Sequence, residues 1–290
     1  METTEILALL AFLITMAVLI SASIKDWKER EVPDVHWIVL SLSGLFLFLV
    51  YSVNAMGFRW EFVLLAIGTL MIIVDILFEK DLGITLTTLY YVLTAMLFIV
   101  PLWGNMSDPI FIAWASIPVA TLIYVGMFFL NIVRGGADVK CLIALSIMIP
   151  IWPAFFGLPL IEVSNVAFSQ IFVFSISALF IAAILTVPMI PYYAFKNAKE
   201  GNVSKKMFAG NKMKVEEAEE ADVWPLEDVV DGQVEEIPIP EEKEMDAIYS
   251  RLKEAGHEKV WVTPMIPFII FITVATGILF IIGNPLFLIF

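Results

Sequence analysis

Residues 5–34 read EILALLAFLITMAVLISASIKDWKEREVPD. From Glu5 to Ser23 the only charge is the first residue, whereas seven of the next eleven residues are charged. At about 1.5 Å per helical residue, nineteen residues reach across a hydrocarbon core of about 30 Å, so this pattern is a spanning helix that stops at an aqueous interface. Glu2 and Glu5 stand where a cleavable signal would carry bases, so we expect a retained first helix. Composition extends the same conclusion to the whole chain. Of 290 residues, 60% are hydrophobic and only 16% charged, against roughly 25% charged in soluble domains. A disordered chain and a secreted disulfide scaffold are excluded. The net charge of −13 carries no basic patch for nucleic acid, and one cysteine with two histidines cannot build a Cys- or His-based metal cluster.

A window of about 19 residues finds eight expected spans. They are Glu5–Ser23, His36–Ala55, Phe62–Phe78, Thr85–Trp103, Ile110–Leu130, Cys141–Phe156, Ala167–Ile190 and Pro264–Phe290. The expected class is therefore all-α, a polytopic membrane protein of about eight helices with a small cytoplasmic segment between the last two. The domains divide as a seven-helix membrane core over residues 1–191, an acidic segment over 192–263 and a final helix over 264–290. With the N-terminus outside, 16 of the 17 bases fall on the cytoplasmic side, and only Arg59 falls outside. That distribution obeys the positive-inside bias, although ten of those bases lie in the long 192–263 segment, which weighs less than short loops.

Residues 192–263 hold 17 acids and 10 bases, which is −7 of the −13. Lys196, Lys199, Lys205, Lys206, Lys212 and Lys214 suit contact with anionic lipid headgroups. Met245, Ile248 and Leu252 recur at helical spacing before Gly256, so we expect one helix in a small subdomain.

Ionisable residues beside a membrane are costly and are the first candidates for chemistry. Asp26 directly follows the first expected span, in Ile24-Lys-Asp-Trp-Lys-Glu-Arg-Glu-Val-Pro-Asp34. Asp138 stands at the mouth of the sixth, in Arg134-Gly-Gly-Ala-Asp-Val-Lys140. Four expected spans separate them, so both emerge on one face. Taken alone, Asp26 also reads as a solvated loop charge and Asp138 as a helix cap. Gly135 and Gly136 take side chains away from the backbone before Asp138, and Pro33 sets a turn before the second span. Lys28 and Lys140 read as interfacial anchors, with Lys140 also placed to bias Asp138. Asp75 is a rival third carboxylate, or else snorkels toward Lys80. Trp27 and Trp37 read as interfacial anchors.

Together these residues resemble the type IV prepilin and preflagellin peptidases, which are membrane aspartyl proteases. The resemblance lies in Asp26 with Lys28, Arg30 and Pro33 following, and in Gly135-Gly136-Ala137-Asp138 with Lys140. The family's second motif is written GxGD, and this chain has Ala137 where the strict form has its second glycine, as suits an archaeal branch. Residues 195–215 and 259–267 look like the extended C-terminal region of some archaeal members. The resemblance implies an aspartic endopeptidase with Asp26 and Asp138 as the catalytic pair and Gly135, Gly136, Lys140, Lys28, Arg30 and Pro33 in support. It implies as partner the signal segment of a precursor pilin or archaellin, cut at the cytoplasmic interface of the cell membrane. Family members that also methylate their product carry paired Cys-x-x-Cys motifs for zinc. With Cys141 alone we expect no metal, no cofactor and no methyl transfer. The sequence carries no signal for an oligomeric state.

Two other readings remain. A presenilin-like protease cuts within the bilayer, but places its first Asp in a Tyr-Asp pair inside a helix, whereas Lys25 precedes Asp26. A non-enzymatic transporter or assembly protein would use its acids structurally, and favours internal repeats that are not visible here.

Overall fold

The computed structural model describes residues 2–78, 83–161, 174–240 and 242–284. Glu79, Lys80, Asp81 and Glu162, together with the start of the seventh expected span, lie outside the described residues. The chain divides into two compact units, one of residues 1–183 and 267–290, the other of Ile184–Ile266.

The first unit is helical. It contains α1 (Thr3–Glu29), α2 (Val35–Met56), α3 (Trp60–Leu77), α4 (Gly83–Leu102), α5 (Pro109–Phe129), α6 (Gly136–Met148), α7 (Phe174–Thr186) and α11 (Phe268–Ile282). Among the described residues, six helices are long and apolar enough to cross a membrane. Five are α1 to α5, and the sixth is Phe174–Lys199, which is α7 continued past a turn at Val187 and Pro188 into α8 (Met189–Lys199). The protein is thus a mostly helical, polytopic membrane protein. The sixth expected span is only partly a helix. α6 begins five residues earlier than expected and ends at Met148, because Pro150 and Pro153 have no N–H to continue the helical ladder. Its 13 residues and the 15 of α11 are shorter than a bilayer core.

Close backbone contact positions α6. A Cβ on Gly44 of α2 would overlap the backbone of Ile147 and Met148, so glycine there lets the two helices touch. At the start of the same two helices, Lys140 Nζ donates to Asp34 Oδ1 at 2.7 Å. The two helices therefore run parallel, and α6 is buried continuously from Cys141 to Met148. α11 lies antiparallel against α1, with Ile269, Ile272 and Thr276 buried at that contact alongside Leu19 and Ala22. At the opposite end of α2, Arg59 donates to Glu61 at 2.7 Å and Asn105 at 3.2 Å, and lies 4.8 Å above the Phe111 ring. Trp37, expected at the interface, is instead 1% exposed in the core, while Trp27 is exposed.

The second unit departs from the single helix expected for the 192–263 segment. It has the expected helix, here α10 (Met245–Glu254), but also a short α9 (Val215–Glu220) and five strands. β1 (Asn211–Lys214), β5 (Lys259–Pro264) and β2 (Val223–Pro225) form an antiparallel sheet in the order β1-β5-β2. β3 (Glu227–Val230) and β4 (Gln233–Glu236) form a hairpin turned by Asp231 and Gly232, both at positive φ. Val215, Ala218, Ile248, Tyr249, Leu252, Val260 and Val262 make its core. These strands are only three to six residues long, too short for an alternating apolar pattern to stand out.

Candidate active site

Asp26 and Asp138 come together at one end of the first unit. α1 runs six residues past the expected span, so Asp26 sits in its last turn and not beyond it, half-buried. The main chain leaves the helix at Arg30, whose φ of 53 is left-handed and whose N–H bonds the carbonyl of Asp26 at 3.2 Å. Pro33 then presents its carbonyl to the N–H of His36 at 3.2 Å, which closes the turn into α2. Asp138 stands in the first turn of α6. Gly135 occupies the cap position, so Asp138 is not the cap residue of α6.

Gly135 explains the placement of Asp138. A Cβ on Gly135 would collide with Oδ2 of Asp138, because the carboxyl folds back over the glycine. Around Gly136 a Cβ would meet nothing within 4 Å, so the two glycines expected to act alike do not. Asp26 is close enough for its charge to act on Asp138, and both act on the buried Cys141. Arg30 is the base whose charge reaches Asp26. Lys140 does not serve Asp138 as expected, since its ammonium is engaged by Asp34. Lys28 is exposed.

The two carboxyls have unlike surroundings. A helix favours negative charge at its first turn and disfavours it at its last, so α6 suits Asp138 while α1 opposes Asp26. Asp26 finds a donor elsewhere: the N–H of Ile269, in the first turn of α11, donates to its Oδ2 at 3.3 Å. One turn deeper, the hydroxyls of Ser23 and Thr273 are 2.7 Å apart. Sequence inspection missed Asp34, Ser23, Thr273 and Ile269. A backbone donor leaves no residue-type signal, and Asp34 looked like one more interfacial acid. Asp75, the rival carboxylate, accepts from Tyr91 at 3.1 Å. Among the described residues no three His, Cys, Asp or Glu side chains gather as metal ligands.

Comparison with known proteins bears on both halves of the chain. Residues 203–284 match the family model described as Archaeal Peptidase A24 C-terminus Type II. The chain is similar to an uncharacterized protein of Methanocaldococcus jannaschii, 28% identical over 279 residues that cover 91% of this chain and 89% of that protein. It is also similar to a preflagellin peptidase of the same organism, 27% identical over 191 residues, or 63% of this chain and 77% of that enzyme. These similarities support kinship with prepilin and preflagellin peptidases. The extended C-terminal region expected from residues 195–215 and 259–267 falls largely within the matched segment. Asp26 in the last turn of α1 removes one distinction from presenilin-like proteases, whose first Asp is intrahelical. Lys25, in place of their tyrosine, remains.

Proposed function

We propose that the chain is an aspartic endopeptidase that cuts the signal segment of precursor pilins or archaellins at the cytoplasmic membrane interface. The observation that carries this reading is the meeting of Asp26 and Asp138, each in a terminal turn of its helix, within reach of each other's charge. Two neighbouring carboxyls resist simultaneous ionisation and share one proton. The ionised partner takes a proton from water, the resulting hydroxide adds to the scissile carbonyl, and the protonated partner donates to the carbonyl oxygen. As the C–N bond breaks, the partner that took the proton from water passes it to the leaving nitrogen, and the other partner recovers its proton from the hydrated carbonyl. That leaves a carboxyl group on the leader, an amine on the mature protein and the pair with one proton again. Neither a metal nor a covalent intermediate is needed for that sequence.

A substrate with a short basic stretch followed by an apolar helix fits the setting. The helix lies in lipid and the basic stretch in water, so the bond between them reaches carboxyls at a helix end. The acidic Ile184–Ile266 unit offers attraction for the basic stretch, and that attraction weakens as salt rises. Glu216, Glu235 and Glu236 are exposed, so neutralising them tests steering without disturbing the unit's core.

The central test is co-expression with a precursor pilin or archaellin, following the mobility of the precursor. Wild type is expected to shorten it, and Asp26→Asn and Asp138→Asn are each expected to leave it intact. Processing by either variant overturns the shared-proton pair. A wild type that shortens neither kind of precursor overturns the substrate class and returns attention to a non-enzymatic role.

A further inference from the structure

We propose that Ile269 is a positioning residue for Asp26, its backbone N–H holding the carboxyl for the chemistry, so that α11 is a working part of the site. This inference rests on the aspartic-peptidase reading above. The last turn of α1 presents carbonyl oxygens and the negative pole of its dipole, a setting that repels a carboxylate. The first turn of α11 presents the opposite, namely N–H groups without partners inside the helix. Pro267, at the cap position of α11, makes no side-chain cap bond, and Asp26 fills that place from another helix.

A second set of contacts fixes the register. Thr273 is buried, its hydroxyl lies 2.7 Å from that of Ser23, and it also reaches the carbonyls of Ile269 at 2.8 Å and Leu19 at 3.3 Å. A slide of α11 along α1 would break the bonds to Ser23 and Leu19 together with the one to Asp26. Asp26, Ser23 and Leu19 fall on one face of α1, while Ile269, Thr273 and Thr276 fall on the facing side of α11. The contact is thus a built, antiparallel seam that ends at the carboxyl.

Two substitutions remove the N–H, one with and one without changing the side chain. Ile269→Pro deletes the donor at a position where the first helical turn tolerates proline. Replacing residue 269 by the α-hydroxy analogue of isoleucine, so that an ester stands for the amide, deletes the donor and keeps the side chain. Ile269→Ala keeps the donor and loses side-chain packing. In the full chain in native-lipid membranes, the ester and Ile269→Pro are expected to lower kcat for precursor cleavage roughly tenfold with KM within about twofold, the scale of one lost charge-assisted hydrogen bond. Ile269→Ala is expected to stay within about threefold in kcat. An ester chain with wild-type kcat overturns the proposal. An infrared readout separates this from failure of the peptidase reading. The carboxyl band that disappears in Asp26→Asn is expected to shift in the ester chain even where no precursor is cleaved, and an unshifted band also overturns the proposal.

Discussion

The last turn of α1 and the first turn of α6 each carry one aspartate, and they hold it in opposite ways. Asp138 is placed by its own neighbourhood: the positive end of its helix, and a glycine three residues back whose missing Cβ leaves space for the carboxyl. Asp26 is at the wrong end of its helix and meets its donor, Ile269, 243 residues further along the chain. The difference teaches that two like groups in one site need not be equally local. One is written into a tetrapeptide, the other into the packing of the first and last described helices.

The contrast breaks first at Gly135. Gly135→Ala forces the Asp138 carboxyl to move, and a displacement near 1 Å is expected to cost on the order of 100-fold in precursor cleavage. Gly136→Ala enters open space and is expected to cost no more than about threefold, near the scale of a surface substitution. Equal losses at the two positions, measured as initial rates in membranes, would mean that backbone freedom and not carboxyl space is what the glycines provide.

A carboxylate in the second unit sharpens the comparison by supplying a third kind of setting. Arg251 donates to Asp228 through Nε at 2.9 Å and Nη2 at 2.5 Å, and this pairing holds the Asp228 carboxyl below the usual carboxylate range. A depressed folded value adds stability above the ordinary carboxylate pKa, and that stability is lost as pH falls through the folded value. Arg251 is 44% exposed in its side chain, so screening limits the effect to about 1 kcal/mol. Amide exchange in β5 is the measurement. Lowering the pH is expected to destabilise this unit in the wild type and to do so less in Arg251→Met, whose Asp228 is already without its counter-charge.

The smallest effect is expected at the tie between the starts of α2 and α6. Lys140 and Asp34 are 29% and 41% exposed, so Lys140→Met or Asp34→Asn is expected to cost at most about 1 kcal/mol of thermal stability. The double variant should be no worse than the worse single one. A loss of several kcal/mol would show that this pair, and not the Gly44 contact with Ile147 and Met148, holds α2 and α6 in parallel.

Most of the membrane architecture was legible because lipid imposes a simple demand. Long apolar runs with charge at their ends recur five times as α1 to α5, close to the expected bounds. The sixth expected span, with the fourth, is the weakest to read, because Pro150 and Pro153 sit inside an apolar run whose hydropathy does not register a missing N–H, and α6 accordingly ends before them. The extension of α1 to Glu29 is hidden for a related reason: four of residues 24–29 are charged, and a window that measures lipid preference does not see a helix continuing into water. The sheet of the second unit is hidden in short strands paired between residues as distant as Asn211 and Val262. Lys140 stands two residues from Asp138 in sequence, but α2 runs alongside α6 and brings Asp34 to its ammonium.

The sequence by itself determined that this is a polytopic helical chain, and it singled out Asp26 and Asp138, because composition and local motif are properties of neighbouring residues. Only the tertiary structure decided what each carboxyl meets. Donors such as the Ile269 N–H belong to every residue except proline, so no side chain marks them in advance. The collision that would follow a side chain at Gly135, but not at Gly136, exists only once a rotamer and a helix start are set.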